Sequence, residues 1–185
     1  IIFSVVILDF FGTFFSSAKT LLPFVARDIL HAGPMQYGWL SASQSVGAVL
    51  VGLYISQRKS IRRQGMLICV SVAMFGLATV LFGLSASFWL TMLALILIGI
   101  FDGMSGIIRN TSRQLLTPDS MRGRMISITQ IFQKGGSQLG EVESGLIAQV
   151  LGVPFAIVSG GIGCLFATWI VIKKIPQLWR YNGDG

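Results

Sequence analysis

Residues 65–84 read GMLICVSVAMFGLATVLFGL, a run that contains no charged side chain. A helix of about 20 apolar residues crosses a bilayer core of roughly 30 Å, so this run predicts a membrane-spanning helix. The composition extends that conclusion to the whole chain, because 53% of its residues are hydrophobic and 11% are charged. Its mean hydropathy of +0.75 excludes a water-soluble domain for most of its length.

Apolar runs of similar length recur along the chain, separated by glycine, proline and charged residues. We therefore predict an all-α membrane protein with a single six-helix bundle over residues 1–185. The chain begins inside an apolar run without an initiator methionine, so we expect it to be a fragment. The predicted spans are about 1–26, 37–56, 65–84, 88–108, 125–150 and 153–172.

The positive charge indicates topology rather than nucleic acid binding. The net charge is +7, and eleven of the fourteen lysines and arginines lie in the loops at 57–64 and 109–124 and in the tail after residue 172. Basic loops stay in the cytoplasm, so these loops and the C-terminus are predicted to be cytoplasmic. We expect no nucleic acid partner.

Polar residues follow helical spacing in four of the six spans. Ionisable groups inside a membrane usually face a bundle interior or a water-filled path. The second span has a milder line, which consists of small residues beside Gln44 (Ser41, Ser45, Ala48 and Gly52). In the fifth span, Glu143 lies on a different face from the polar line. The three strong lines are Asp9, Thr13, Ser16 and Thr20; Asp102, Ser105, Gly106, Arg109 and Arg113; and Gln130, Lys134, Ser137, Gln138, Glu141 and Ser144.

Spans three and six contain no charged residue. Spans one, two, four and five are therefore predicted to face a polar space while spans three and six support them. Two inverted three-helix repeats have this arrangement. We interpret glycines at helix-packing spacing as close helix contacts; they are Gly99, Gly103, Gly106, Gly136 and Gly140.

Three segments of the sequence carry a family resemblance: TPDSMRGRMISI at 117–128, LGEVESG at 139–145 and LLPFVARDILHAGPMQYGWL at 21–40. They resemble the C-terminal half of major facilitator superfamily exporters related to the enterobactin exporter and macrolide efflux proteins. The resemblance implies a twelve-helix transporter whose N-terminal half is absent from this chain. The positions that match the family are Arg109, Arg122, Gly123, Arg124, Glu141 and Glu143.

The resemblance further implies a multi-pass protein of the bacterial cytoplasmic membrane that exports siderophore-like or drug-like molecules by alternating access and proton antiport. Its expected partners are small-molecule cargo, protons, the bilayer and the N-terminal half. One departure affects gating, because the loop at 52–65 keeps Gly52 and the basic residues of the family's signature but has no acidic residue.

Asp9, Asp102 and Glu141 are the candidate proton-coupling carboxyls, because a partly dehydrated cavity favours their neutral form. The alternative is that each is a structural carboxylate paired with a neighbouring cation. Lys134 either binds an anionic cargo or neutralises a carboxylate of another helix. The charges of Arg109, Arg122, Arg124 and Glu143 are assigned structural or gating roles.

Two other functions remain open. An uncoupled facilitator would use the same bundle and ignore an imposed pH gradient, and a non-transporting scaffold or sensor would use the membrane charges as structural pairs. We do not expect an enzyme, a metal or a cofactor, since no catalytic or phosphate-binding motif occurs and Cys69 and Cys164 lack metal-ligand spacing.

Overall fold

The computed structural model describes residues 13–14, 20–57, 64–117 and 119–174, except for the side chains of residues 112–116, 119 and 122. The described part of the chain is helical apart from short connections. The helices are α1 (Leu22–Phe24), continued by a π-helical turn at Val25–Ile29, then α2 (Pro34–Ser56), α3 (Gln64–Leu84), α4 (Phe88–Leu116), a 3₁₀ turn at Asp119–Met121, α5 (Arg122–Leu151) and α6 (Val153–Lys174).

The all-helical membrane fold predicted from the sequence is confirmed. Four of the described helices are long and apolar enough to cross a bilayer: Pro34–Ser56, Gln64–Leu84, Phe88–Thr111 and Val153–Lys174. Helix α5 spans 30 residues but is not among the four. Its polar residues lower its mean hydropathy. The length of α5 therefore agrees with the predicted fifth span, whereas its hydropathy is below that of the four apolar helices. Most of the predicted first span lies outside the described residues.

Helices α2 and α4 pack along each other at a seam of glycines. A Cβ atom on Gly47 would overlap the carbonyl oxygen of Ile96, and one on Gly99 would overlap the carbonyl oxygen of Gln44. The two backbones therefore touch, which only glycine permits at these positions. The predicted close contact is present at Gly99, and at Gly103 a Cβ atom would lie 2.9 Å from the Val51 side chain.

A second glycine contact joins α3 and α6. A Cβ atom on Gly161 would lie 2.8 Å from the carbonyl oxygen of Gly76, and one on Gly83 would lie 2.8 Å from the Val158 side chain. Helix α3 also packs on α4, and α5 packs on α6. The extensive helix contacts thus run in the spatial order α2, α4, α3, α6 and α5, which leaves α2 and α5 at opposite ends of the described bundle.

Candidate functional site

The polar line of α4 lies inside the protein. The Ser105 side chain is 2% exposed and that of Arg109 is 6% exposed, while Asp102 is half-buried. The Arg109 guanidinium donates to the Ser105 carbonyl oxygen at 3.2 Å and to its hydroxyl at 3.1 Å. The Ser105 hydroxyl donates in turn to the Asp102 carbonyl oxygen at 3.1 Å. The line is therefore a bonded chain along one helix face.

The packing of α4 explains this burial. Gly99 and Gly103 face α2, and the polar line lies roughly a quarter to a third of a turn away at about 100° per residue. Ile98, on the same side as the polar line, is also buried, and α3 packs on α4 in addition to α2. Gly106 differs from the other two glycines, because a Cβ atom there would meet nothing within 4 Å.

The polar line of α5 lies on the surface of the described bundle. Gln130, Lys134, Gln138 and Glu141 are exposed, and Ser137 is half-buried. The Ser137 hydroxyl lies 3.4 Å from a carboxylate oxygen of Glu141, to which it donates a long hydrogen bond. Four polar side chains therefore point away from the described helices.

Helix α5 has three distinct faces. The packed face carries Gly136, Gly140 and Ser144, which are buried. The polar line lies roughly 120° around the helix from it, at about 100° per residue. The remaining third of the circumference is apolar and exposed, with Ile128, Ile131, Leu139, Val142, Leu146 and Val150.

Helix α2 repeats this organisation. Its packed face carries Leu40, Ser43, Gly47 and Val51, all buried. The line of small residues lies roughly 120° from that face, in the same rotational sense as the polar line of α5. Ser41, Ser45 and Ala48 in this line are exposed, and Gly52 and Gln44 are half-buried. The third face is apolar and exposed, with Trp39, Val46, Val49, Leu50 and Leu53.

Within the described residues, no ion pair joins the charged side chains of the α4 and α5 lines to each other. Among the residues that the structure describes, the recorded ion pair is Arg27 with Asp28, at 3.9 Å between two exposed side chains. Asp102 and Arg109 share a face of α4 but do not pair with each other, and Lys134 and Glu141 are two turns apart on α5, roughly 10 Å along the axis. Lys134 and Glu141 are both exposed and form no ion pair with another described residue.

The other predicted site residues are scattered. Thr13 is half-buried and Thr20 is exposed, whereas Asp9, Ser16 and the Arg122 side chain lie outside the described residues. Arg124 is exposed near the start of α5, and Glu143 is half-buried on a face away from the polar line. No group of three or more histidine, cysteine or acidic side chains could hold a metal within the described ranges.

Ser144, which the sequence placed on the polar line of α5, lies instead on the packed side of that helix, and Thr129 on the same side was not singled out from the sequence. Thr129 is 8% exposed and Ser144 is 3% exposed, and the Thr129 hydroxyl has no hydrogen-bond partner among the described residues. Their spacing from Gly136 and Gly140 by seven and four residues is the signal that could have assigned them to one face.

Comparison with known proteins gives a consistent result. The family model for transmembrane secretion effectors matches residues 2–180. The enterobactin exporter EntS of Citrobacter koseri is 29% identical over 92% of the chain, and the EntS proteins of Escherichia coli O81 and O139:H28 are each 25% identical over 92% of it. The chain spans 41% of the length of each of these relatives.

Proposed function

This chain belongs to the transmembrane secretion effector family of major facilitator superfamily exporters, and from that premise we propose that it forms the C-terminal half of a bacterial inner-membrane exporter of small amphiphilic molecules. Members of this superfamily are transporters rather than enzymes. The proposed cargo is siderophore-like or drug-like, and its export is driven by inward proton movement through alternating access.

The three faces of α5 are the observation that carries this proposal. A membrane helix that needed only lipid and packed neighbours would have no use for exposed Gln130, Lys134, Gln138 and Glu141. Such side chains are costly in lipid and are tolerated where they line a water-filled space or meet another protein surface. The polar face of α5 therefore supports a cavity shared with six helices that this chain does not supply.

The matching faces of α2 and α5 support the two inverted repeats. In such repeats, α2 and α5 are the second helices of their triplets and are related by a two-fold axis. A rotation preserves handedness, so the polar face should lie on the same side of the packed face in both helices. The offset of roughly 120° in the same sense on each helix fits this relation.

The exposed α5 line also supports specific roles in transport. Glu141 would take up and release the coupling proton, because its carboxylate faces the proposed cavity and accepts a hydrogen bond from Ser137. Lys134 would attract an anionic cargo from the same face. Asp9 and Asp102 remain the other proposed coupling carboxyls, and burial of the α4 line favours a structural task for Arg109, which fixes that part of α4.

Proteoliposomes test this proposal. The full-length protein would be reconstituted with a pH-sensitive dye inside, and enterobactin would be the first cargo, because it is the molecule that the relatives are named for. We expect cargo-driven proton flux in the wild type and its loss in Glu141→Gln and in Asp102→Asn. Asp28→Asn is the matched control, since Asp28 is exposed in the connection between α1 and α2.

Each result separates the candidate functions. Unchanged proton flux in both variants would contradict the assigned coupling roles. Cargo movement that ignores an imposed pH gradient would instead identify an uncoupled facilitator. Absence of cargo binding and of flux in folded wild-type protein, tested with siderophores and amphiphilic drugs, would favour the scaffold or sensor.

A further inference from the structure

Helix α6 buries one side against the bundle and exposes a single stripe on the other. Its buried side chains include Ala156, Ile157 and Cys164, which lie on the side that packs on α3. The exposed stripe follows positions that share a face at about 100° per residue. It consists of Phe155, Ile162, Phe166 and Trp169, each more than half exposed, and ends at exposed Lys173.

The C-terminal end of this stripe is an organised cluster. The rings of Phe166 and Trp169 stack, with centroids 6.0 Å apart and planes inclined by 23°. The Lys173 ammonium lies 4.1 Å from the centroid of the Trp169 ring. A cation–π contact with Trp169 thus places the lysine ammonium along the stripe.

We propose that this stripe of α6 binds an acidic phospholipid, with its acyl chain along Phe155, Ile162 and Phe166 and its headgroup at Trp169 and Lys173. The order of side chains along the stripe matches the order of groups in such a lipid. Apolar side chains would meet the acyl chain, and the tryptophan ring and then the lysine would meet the headgroup. Tryptophan favours the headgroup level of a bilayer, and Lys173 supplies the charge that an anionic phosphate attracts.

The position of the cluster supports a lipid as the occupant. Helix α6 is long and apolar enough to cross the membrane, and Lys173 and Lys174 form its last turn, so the cluster lies where the hydrocarbon core meets the headgroups. Helix α3 provides a contrast. Its exposed side chains (Val70, Met74, Leu77 and Leu84) are apolar throughout, as expected of a helix that meets acyl chains without selecting a headgroup.

Lys174 is the matched control for Lys173. Both lysines are exposed and adjacent in the chain, but Lys174 is turned by about 100° from the stripe. A general attraction to an anionic surface would depend equally on both lysines. A binding site on the stripe depends on Lys173 more strongly.

The test measures retention of phosphatidylglycerol by the detergent-purified full-length protein in native mass spectrometry, with phosphatidylcholine as the neutral probe. We expect phosphatidylglycerol to bind more tightly than phosphatidylcholine and its binding to fall about fivefold in Lys173→Gln, the effect of one basic residue near an anionic surface. Lys174→Gln should retain most of the affinity, and Trp169→Leu should lose it as Lys173→Gln does.

A second measurement locates the lipid. Phosphatidylglycerol with brominated acyl chains should quench a component of the tryptophan emission that is missing in Trp169→Phe. Equal loss in Lys173→Gln and Lys174→Gln, equal binding of the two lipids, or quenching that persists unchanged in Trp169→Phe would each overturn the proposal. Inorganic phosphate at the same concentration should not compete, and competition would assign the site to a free anion. None of these outcomes depends on whether the protein exports cargo.

Discussion

Helices α4 and α5 carry similar lines of polar residues and use them in opposite ways. On α4, Ser105 and Arg109 are buried and hydrogen-bonded along their own helix. On α5, Lys134 and Glu141 are exposed and face away from the described bundle. The sequences alone treat these lines alike, because both place charged side chains at helical spacing within a predicted span.

The difference shows that a polar stripe in a membrane helix is not by itself a transport surface. The α4 line is enclosed because α4 lies between two helices, α2 and α3, that both pack on it, whereas α5 has lighter contacts at the edge of the bundle. An enclosed line can fix a helix and a surface line can meet cargo. Separate measurements of accessibility, stability and transport should therefore give different results for the polar lines of α4 and α5.

Accessibility should give the largest contrast. We expect a membrane-impermeant maleimide to label Gln138→Cys on the order of a hundredfold faster than Ser105→Cys, because a buried thiol reacts only after local opening. Val142→Cys, on the apolar face of α5, should stay unlabelled, because that face is expected to meet lipid and the reagent does not enter the membrane. Labelling would be followed by mass spectrometry of the full-length protein in membranes.

The native protein serves as the blank in this experiment: Cys69 and Cys164 of this chain are both buried, and any labelling elsewhere in the full-length protein is subtracted. Comparable labelling rates at Ser105→Cys and Gln138→Cys would contradict the conclusion that the α4 line is buried and the α5 line is exposed. Rapid labelling of Val142→Cys would mean that the apolar face of α5 also borders water.

Removal of the cation should affect stability for Arg109 on α4 and transport for Lys134 on α5. Arg109→Gln removes a charged donor from two hydrogen bonds with Ser105, and we expect the free energy of unfolding to fall by about 1.5–3 kcal/mol. Lys134→Gln should change it by less than about 0.5 kcal/mol while lowering transport of an anionic cargo. Thermal unfolding in detergent and flux in proteoliposomes measure the two effects. An Arg109→Gln protein of wild-type stability would disprove the structural role.

Glycine substitutions probe the same contrast through packing. A Cβ atom on Gly99 would overlap backbone atoms of Gln44, whereas one on Gly145 of α5 would meet nothing within 4 Å. Gly99→Ala must push α2 away from α4, at a cost of about 1–3 kcal/mol. Gly145→Ala should be neutral or slightly stabilising, since alanine favours the helix. Urea unfolding compares the two variants, and equal destabilisation would argue against a close α2–α4 seam.

The sequence predicted the parts of this fold that depend on apolar runs. Residues 65–84 suffice to predict α3, because uninterrupted apolar length is the physical requirement for crossing a bilayer. Helix α5 is harder, since residues such as Lys134 and Glu141 lower its hydropathy below that of the four apolar spans. Its polar line was nevertheless found from spacing, which reports a helix face directly.

Spacing in the sequence could not show whether each polar helix face is buried or exposed. Ser105 and Gln138 occupy similar positions in their helical patterns, yet one is buried and the other exposed. Their difference arises from which neighbour covers each helix, and that depends on contacts distant in sequence, such as Gly99 with Gln44. The open space at Gly106, beside two closely packed glycines, follows from the same tertiary geometry.

The smallest expected effect concerns the bond within the α5 line. The Ser137 hydroxyl donates to Glu141 over 3.4 Å, and a pair four residues apart on a helix contributes about 0.2–0.5 kcal/mol. Ser137→Ala should therefore leave thermal unfolding nearly unchanged, as should Ser127→Ala, which removes an exposed bond to the Gly123 carbonyl oxygen. In proteoliposomes, Ser137→Ala should alter proton flux modestly and Ser127→Ala not at all, because only Ser137 contacts the proposed coupling carboxyl. A stability loss above about 1 kcal/mol in Ser137→Ala alone would mean that the α5 line is enclosed as the α4 line is.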